Sequence, residues 1–125
     1  IPKFLNSNPS PIGFISFDLD QYTSTVQAFE LLKADPQLLL PRIHCHFDDI
    51  VGFTFGHHNG ERLAISEFND SFKNRQISKL FGAKFYVPKE EKDSLWVEKI
   101  YLTHIIDHAL YNAHDGLVKK ANMDL

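Results

Sequence analysis

Two apolar runs, each ending in carboxylates, set the pattern of this chain. Ile12 to Phe17 (I-G-F-I-S-F) stops at Asp18, and Arg42 to Phe47 (R-I-H-C-H-F) stops at Asp48-Asp49. Short apolar runs bounded by polar residues predict strands, and the first reads as a strand buried on both faces, as in a parallel sheet. Between them Val26, Phe29, Leu31 and Leu32 fall at helical spacing, which predicts a helix with one apolar stripe. Ser24 offers the N-cap, with Gln27 as its capping-box partner, and Asp35-Pro36 ends the helix. Gln37 to Pro41 is then a leucine-rich connector. Strand, helix and strand within about 35 residues predict a βαβ unit with a right-handed crossover and parallel strands. Both acid groups would then emerge at the carboxyl edge of the sheet, where open α/β sheets bind ligands.

The flanking segments read as support. Residues 1–11 hold three prolines, two asparagines and two serines and predict a linker, the edge of a longer protein. Val51 to Asn59 is a loop with Gly52, Gly56 and the pair His57-His58. Gly60 to Phe72 predicts a second helix with Leu63, Ala64, Glu67 and Phe68 on one face, ended by Asn74. Ile77 to Val87 alternates as a strand does, with a bulge expected at Gly82. Leu95 to Ile105 predicts another strand, whose apolar members are Trp96, Ile100 and Leu102. Only the short charged turn Pro88 to Ser94 separates these two, which predicts an antiparallel hairpin. The domain so read spans residues 12–106, and residues 107–125 form a C-terminal tail.

Composition narrows the classes. The 125 residues fit one small domain. A net charge of -3 gives no basic face and argues against a nucleic-acid binder. No apolar run reaches the length of a membrane span. The single cysteine, Cys45, excludes an intrachain disulfide and fits a reducing, cytoplasmic compartment. Homo-oligomer formation is left open.

The acids carry the candidate chemistry. Asp18, Asp20, Asp48 and Asp49 would repel one another at one sheet edge, the more so where partly desolvated. A hard divalent cation such as Mg²⁺, which prefers oxygen ligands, relieves that repulsion. Taken singly, each Asp is more readily a helix cap or a solvated loop residue; the repetition on neighbouring strands is what favours a site. The histidines are less specific. His44 and His46 share one face of a strand and read as buried, hydrogen-bonded residues rather than a metal pair. His57 and His58 sit on the loop past the second acid pair, within reach of a substrate or as idle surface residues. His104 and His108 would share a face only if that stretch were helical. Cys45 reads as core.

At D-L-D-Q-Y-T-S-T followed by F-D-D-I, the chain resembles class I S-adenosylmethionine-dependent methyltransferases. Within them it is similar to the metal-dependent macrocin-type O-methyltransferases, which act on sugars of macrolide and aminocoumarin antibiotics. Asp18, Asp20, Tyr22, Ser24, Thr25, Asp48 and Asp49 fall on that pattern, G-E-R-L-A-I-S-E-F-N looks like an uncharacterised branch of the superfamily, and the resemblance covers Pro11 to Asn69. It implies an α/β fold: the C-terminal half of a Rossmann-like methyltransferase sheet, with a parallel βαβ unit, a helix and a closing antiparallel hairpin. It also implies Asp18, Asp48 and Asp49 as ligands of Mg²⁺ or a similar divalent cation, and Asp20 as the general base on the acceptor hydroxyl. S-adenosylmethionine would be the methyl donor, and a small molecule or sugar the acceptor.

The departures are equally specific. Such families carry a glycine-rich donor motif and a ribose-binding acid upstream of this region, and neither is in these 125 residues. The donor would therefore be held only together with an N-terminal half, the chain being a fragment or a truncated relative. Phe53 to Asn59 also drifts from the antibiotic-tailoring pattern, so the acceptor need not be a sugar. Two rival readings stand beside this one. A haloacid-dehalogenase-like phosphohydrolase also opens D-x-D after a strand, but Tyr22 and the short interval to Asp49 count against it. A degenerate half-domain would serve as a scaffold without catalysis.

Overall fold

A computed structural model describes residues 1–52 and 54–113. Ile12–Phe17 forms strand β1, Leu39–Phe47 forms β2, and they pair in parallel with Phe17 beside Phe47. Helix α2, Tyr22–Ala28, and a 3₁₀ turn at Phe29–Lys33 cross between them. Helix α3 follows at Gly60–Ser71, then strands β3 at Arg75–Lys79 and β4 at Ile100–Ile105. The fold is mixed α/β, with a four-stranded sheet in the order β1-β2-β4-β3. Among the described residues β1 and β2 are the one parallel pair of neighbours; β4 lies between β2 and β3 and is antiparallel to both.

The packing follows strand alternation. Ile43, Cys45 and Phe47 of β2 are buried, and α2 and α3 cover that face. His44 points to the other face and is exposed. Phe17 and Phe47 stack with ring centroids 4.7 Å apart. Phe29 meets both edge-on, at 5.4 and 6.1 Å, and Phe68 of α3 closes on Phe29 at 5.5 Å. Such offset and edge-on pairs add to the burial of large rings. Phe17 and Phe47 are the last residues of their strands, so this aromatic cluster fixes the two points from which the acids depart.

Several expectations give way. β1 is an edge strand, and Phe14 is 61% exposed, so it is not buried on both faces. Residues 1–11 are not all linker: Pro2–Asn6 forms the short helix α1, with Pro2 in its first turn, where a missing N–H costs nothing. Ser24 lies inside α2, whose N-cap is Gln21; in that first turn Thr25, fully buried, donates its hydroxyl to the Gln21 carbonyl at 3.0 Å. The connector Gln37 to Pro41 is split between a 3₁₀ turn, Pro36–Leu38, capped by Asp35, and the start of β2.

Both late strands are also shorter than their patterns suggest. β3 stops at Lys79, and Gly82 makes no bulge; at φ +75° it opens the 3₁₀ turn Ala83–Phe85. Leu95–Lys99 is likewise a 3₁₀ turn with Val97 buried, and β4 begins only after it. The alternation in F-G-A-K-F-Y thus meets no partner strand, and Phe81, Phe85 and Tyr86 are left exposed. Residues 107–113 continue in turns, and the remainder of the predicted tail lies outside the described residues.

Arg75 ties the far end of the sheet together. Buried, it donates from Nη1 to the carbonyls of Leu32 at 2.7 Å and Ala34 at 2.6 Å. Its Nε and Nη2 fork onto the Asp107 carboxylate at 3.2 and 3.1 Å. A planar guanidinium suits this four-bond clamp as no other side chain does.

Candidate metal centre

The parallel ladder runs on past β1 and β2, the Asp48 amide donating to the Phe17 carbonyl at 2.9 Å. That bond brings Asp18 and the Asp48-Asp49 turn side by side. One carboxylate oxygen from each of Asp18, Asp48 and Asp49 lies within 4.8 Å of the others, the one such group among the described residues. Three carboxylates converging from two loops form an all-oxygen donor set suited to Mg²⁺, Mn²⁺ or Ca²⁺ rather than to a softer metal.

The electrostatics show the strain of that convergence. Burial, contact with the Asp20 carboxyl, and the charges of Asp20, Asp48 and Asp18 push the Asp49 carboxyl above its ordinary value. Asp20, exposed at the start of the crossover, is thus brought against Asp49 rather than into the three-oxygen group. Lys99 answers from the other side, its Nζ lying 3.1 Å from Asp48 Oδ1. The lysine side chain is only 15% exposed, against 47% for Asp48.

Glu61 is the residue that the sequence did not single out. It lies in the first turn of α3 and is 2% exposed. Its Oε2 accepts the Asp49 amide at 3.2 Å. Burial first, and then the charge of Asp49, push its carboxyl up to about 8. Glu61 Oε1 and Asp49 Oδ2 are buried with no hydrogen-bond partner among the described residues. A buried carboxylate oxygen without a donor is costly, and two at one site mark a place built for a cation or a held proton. The donor set therefore fits a divalent ion. Glu61 was detectable in principle, because it shares the buried stripe of Ala64, Ile65 and Phe68. In the sequence, however, an acid in the first turn is explained by the helix dipole alone.

The loop between the acids and α3 is held by Asn59, whose side chain accepts from the Gly56 amide at 2.7 Å and donates to the Thr54 carbonyl at 3.0 Å. Arg62 Nε donates to the Ile50 carbonyl at 2.8 Å. The histidines stay apart from the acids. His44 is exposed rather than buried, and His46 Nδ1 is 3.3 Å from Ser16 Oγ. His104 lies in β4, not in a helix, between Ser78 Oγ at 3.3 Å and Tyr111 Oη at 2.9 Å. Burial and the Arg42 charge push His104 down. His57 and His58 are exposed on the loop. The Tyr22 hydroxyl donates to Glu67, joining α2 to α3. Among the described residues, no helix is long and apolar enough to cross a membrane.

Comparison with protein-family models, with curated proteins and with solved structures returns no match for this chain. The functional reading therefore rests on the residues and their geometry.

Proposed function

We propose that this chain carries the metal-holding half of an S-adenosylmethionine-dependent O-methyltransferase acting on a hydroxyl of a small molecule or sugar. The observation that carries the reading is the convergence of Asp18, Asp48 and Asp49 within 4.8 Å at the carboxyl ends of two parallel strands, with Asp20 against Asp49. The sheet is compatible with it as well: a parallel pair extended by an antiparallel pair is what the resemblance leads one to expect of the closing half of such a sheet.

Asp18, Asp48 and Asp49 would hold Mg²⁺ or a similar cation, which supplies Lewis acidity at the acceptor hydroxyl and lowers its pKa. Glu61 holds the Asp49 amide and so orients the turn that bears two of the carboxylates. Asp20, exposed beside them, would accept the hydroxyl proton in this reading. Methyl transfer then depends mainly on positioning. The donor's cradle is not among these 125 residues, so S-adenosylmethionine would bind only with an N-terminal half.

One observation favours a second reading, a half-domain without catalysis. The Lys99 ammonium neutralises Asp48 from within the chain, so the cluster has a counter-charge without an ion. A phosphohydrolase is less well served, because β2 itself is the only strand between Asp20 and Asp49. Calorimetric titration with Mg²⁺ and with S-adenosylmethionine, on this chain and on one extended upstream, tests the proposal. Mg²⁺ binding that Asp48→Asn abolishes, with donor binding in the extended protein, supports it. An extended protein that binds neither sinks it.

A further inference from the structure

Helix α3 leaves a cleft of about 450 Å³ against β3 and β4, on the helix-covered face of the sheet. That volume lies within the range of small-molecule sites, roughly 300–1,000 Å³. Its polar wall includes Arg62, Lys79 and His57; its apolar wall includes Val51, Ile65 and Tyr101. The cleft is distinct from the acid cluster but tied to it at three points. Val51 lies just past the Asp48-Asp49 turn. Arg62 follows Glu61, which holds the Asp49 amide. Glu98, also in the wall, precedes Lys99, which bonds Asp48.

The charges in the wall are not equivalent. Lys79 is paired with Glu98, and the two largely cancel. Arg62 is anchored by one edge, through Nε, to the Ile50 carbonyl. Its planar fork matches a carboxylate. Arg62 and Lys79 bear on the half-buried Tyr101 phenol, as do the acids Glu61 and Glu98, so charge of both signs lies next to the aromatic wall and Arg62 is its cation on the α3 side. An anionic group on Arg62 with an apolar body along Tyr101 and Ile65 satisfies both kinds of wall at once.

We propose that this cleft binds a small organic acid that also carries a hydroxyl, with its carboxylate on Arg62 and its hydroxyl end toward the Asp48-Asp49 turn. The anionic end stands on the cleft alone; the placing of the hydroxyl rests on the methyl-transfer reading. The cleft would thereby set the acceptor class as an acid rather than a neutral sugar.

NMR titration of the 125-residue chain with benzoate and with benzamide, without metal, tests the anionic end. Benzoate is expected to bind at least tenfold tighter than benzamide and to shift the Arg62 Nε–H resonance. Arg62→Gln should bring benzoate down to the benzamide level, and His57→Ala should weaken it less. Equal binding of the two probes, or an unshifted Arg62 resonance, overturns the proposal; the resonance serves even if Arg62→Gln unfolds. Adding Mn²⁺ with 3,4-dihydroxybenzoate tests the other end, where the ion should tighten binding and Asp48→Asn should remove that gain. Benzoate binding at Arg62 without any Mn²⁺ binding leaves the anion site standing and removes the metal reading. Mn²⁺ binding with equal benzoate and benzamide affinities does the reverse.

Discussion

The Asp49 amide donates to Glu61 Oε2 at 3.2 Å, while Asp49 Oδ2 and Glu61 Oε1 lie buried with no hydrogen-bond partner among the described residues. One hydrogen bond thus ties the Asp49 backbone to the Glu61 carboxylate, and the behaviour of the two neighbouring carboxyl groups should be coupled to pH and to cations.

Stability without metal should fall as pH rises. The Glu61 carboxyl is pushed up to about 8 in the folded chain, whereas an unfolded Glu titrates near about 4.3. Between those values the folded state holds a proton that the unfolded state has lost. Unfolding free energy therefore declines by at most about 1.4 kcal/mol per pH unit across that window and levels off above it. Asp49, also raised, acts in the same direction. Denaturant midpoints measured in chelator at pH 5, 6.5 and 8 should fall in that order, and Glu61→Gln should flatten the trend. A midpoint that rises toward pH 8 contradicts this account of the site.

Cation affinity should respond in opposite senses to two substitutions. Asp18→Asn or Asp48→Asn removes one of three converging carboxylates and should weaken Mn²⁺ binding by about tenfold or more, since even outer partners of a site are worth roughly 10–100-fold. Lys99→Met removes the ammonium that competes for Asp48 and should tighten Mn²⁺ binding severalfold. Mn²⁺ electron paramagnetic resonance reads both. If Lys99→Met destabilises the chain and gains no affinity, the non-catalytic reading is favoured instead.

The Arg75 clamp should dominate local stability. Arg75→Met strips the partner from two buried carbonyls and from Asp107, and should cost about 2–4 kcal/mol, because each buried carbonyl left without a donor costs roughly 1–3 kcal/mol. Asp107→Asn should cost only about 1 kcal/mol, because that carboxylate is 35% exposed and screened by water. Urea unfolding of the two variants gives the comparison directly; similar losses would mean that the carboxylate, not the carbonyls, matters most.

Cys45 should be inert while the chain is folded. It is fully buried, and burial pushes its thiol up to about 11, so almost no thiolate forms near neutral pH. Reaction with a disulfide reagent should follow global unfolding, and rapid labelling of native protein would show that the sheet opens locally.

Local pattern alone was enough for the strand–helix–strand core of the fold. The apolar runs at Ile12–Phe17 and Arg42–Phe47 became a parallel pair, because two strands joined by a crossing helix pair in parallel, although β1 lies at the edge rather than buried on both faces. Positions of Asp18, Asp48 and Asp49 at one edge followed from that parallelism, since parallel strands end at the same side. Helix α3 was likewise legible as a helix, but of the face expected only Ala64 and Phe68 are buried; Glu61 and Ile65 complete the buried stripe, while Leu63 is half-buried and Glu67 is exposed.

The remainder required the folded chain. Ile77–Val87 alternates like a strand, but only Arg75–Lys79 has a partner in β4; a strand exists where another strand bonds it, and alternation cannot say how far that partner extends. The placing of β4 between β2 and β3 is a long-range choice of the same kind. Glu61 is the clearest case. Its charge is unremarkable in sequence and becomes significant only when the turn after β2 folds against the first turn of α3. There, burial and three nearby carboxylates change what one glutamate can do. Residue types and their periodicity therefore determine which elements form and which acids share an edge. Tertiary packing decides which of those acids lose water, because desolvation depends on neighbours that lie far away along the chain.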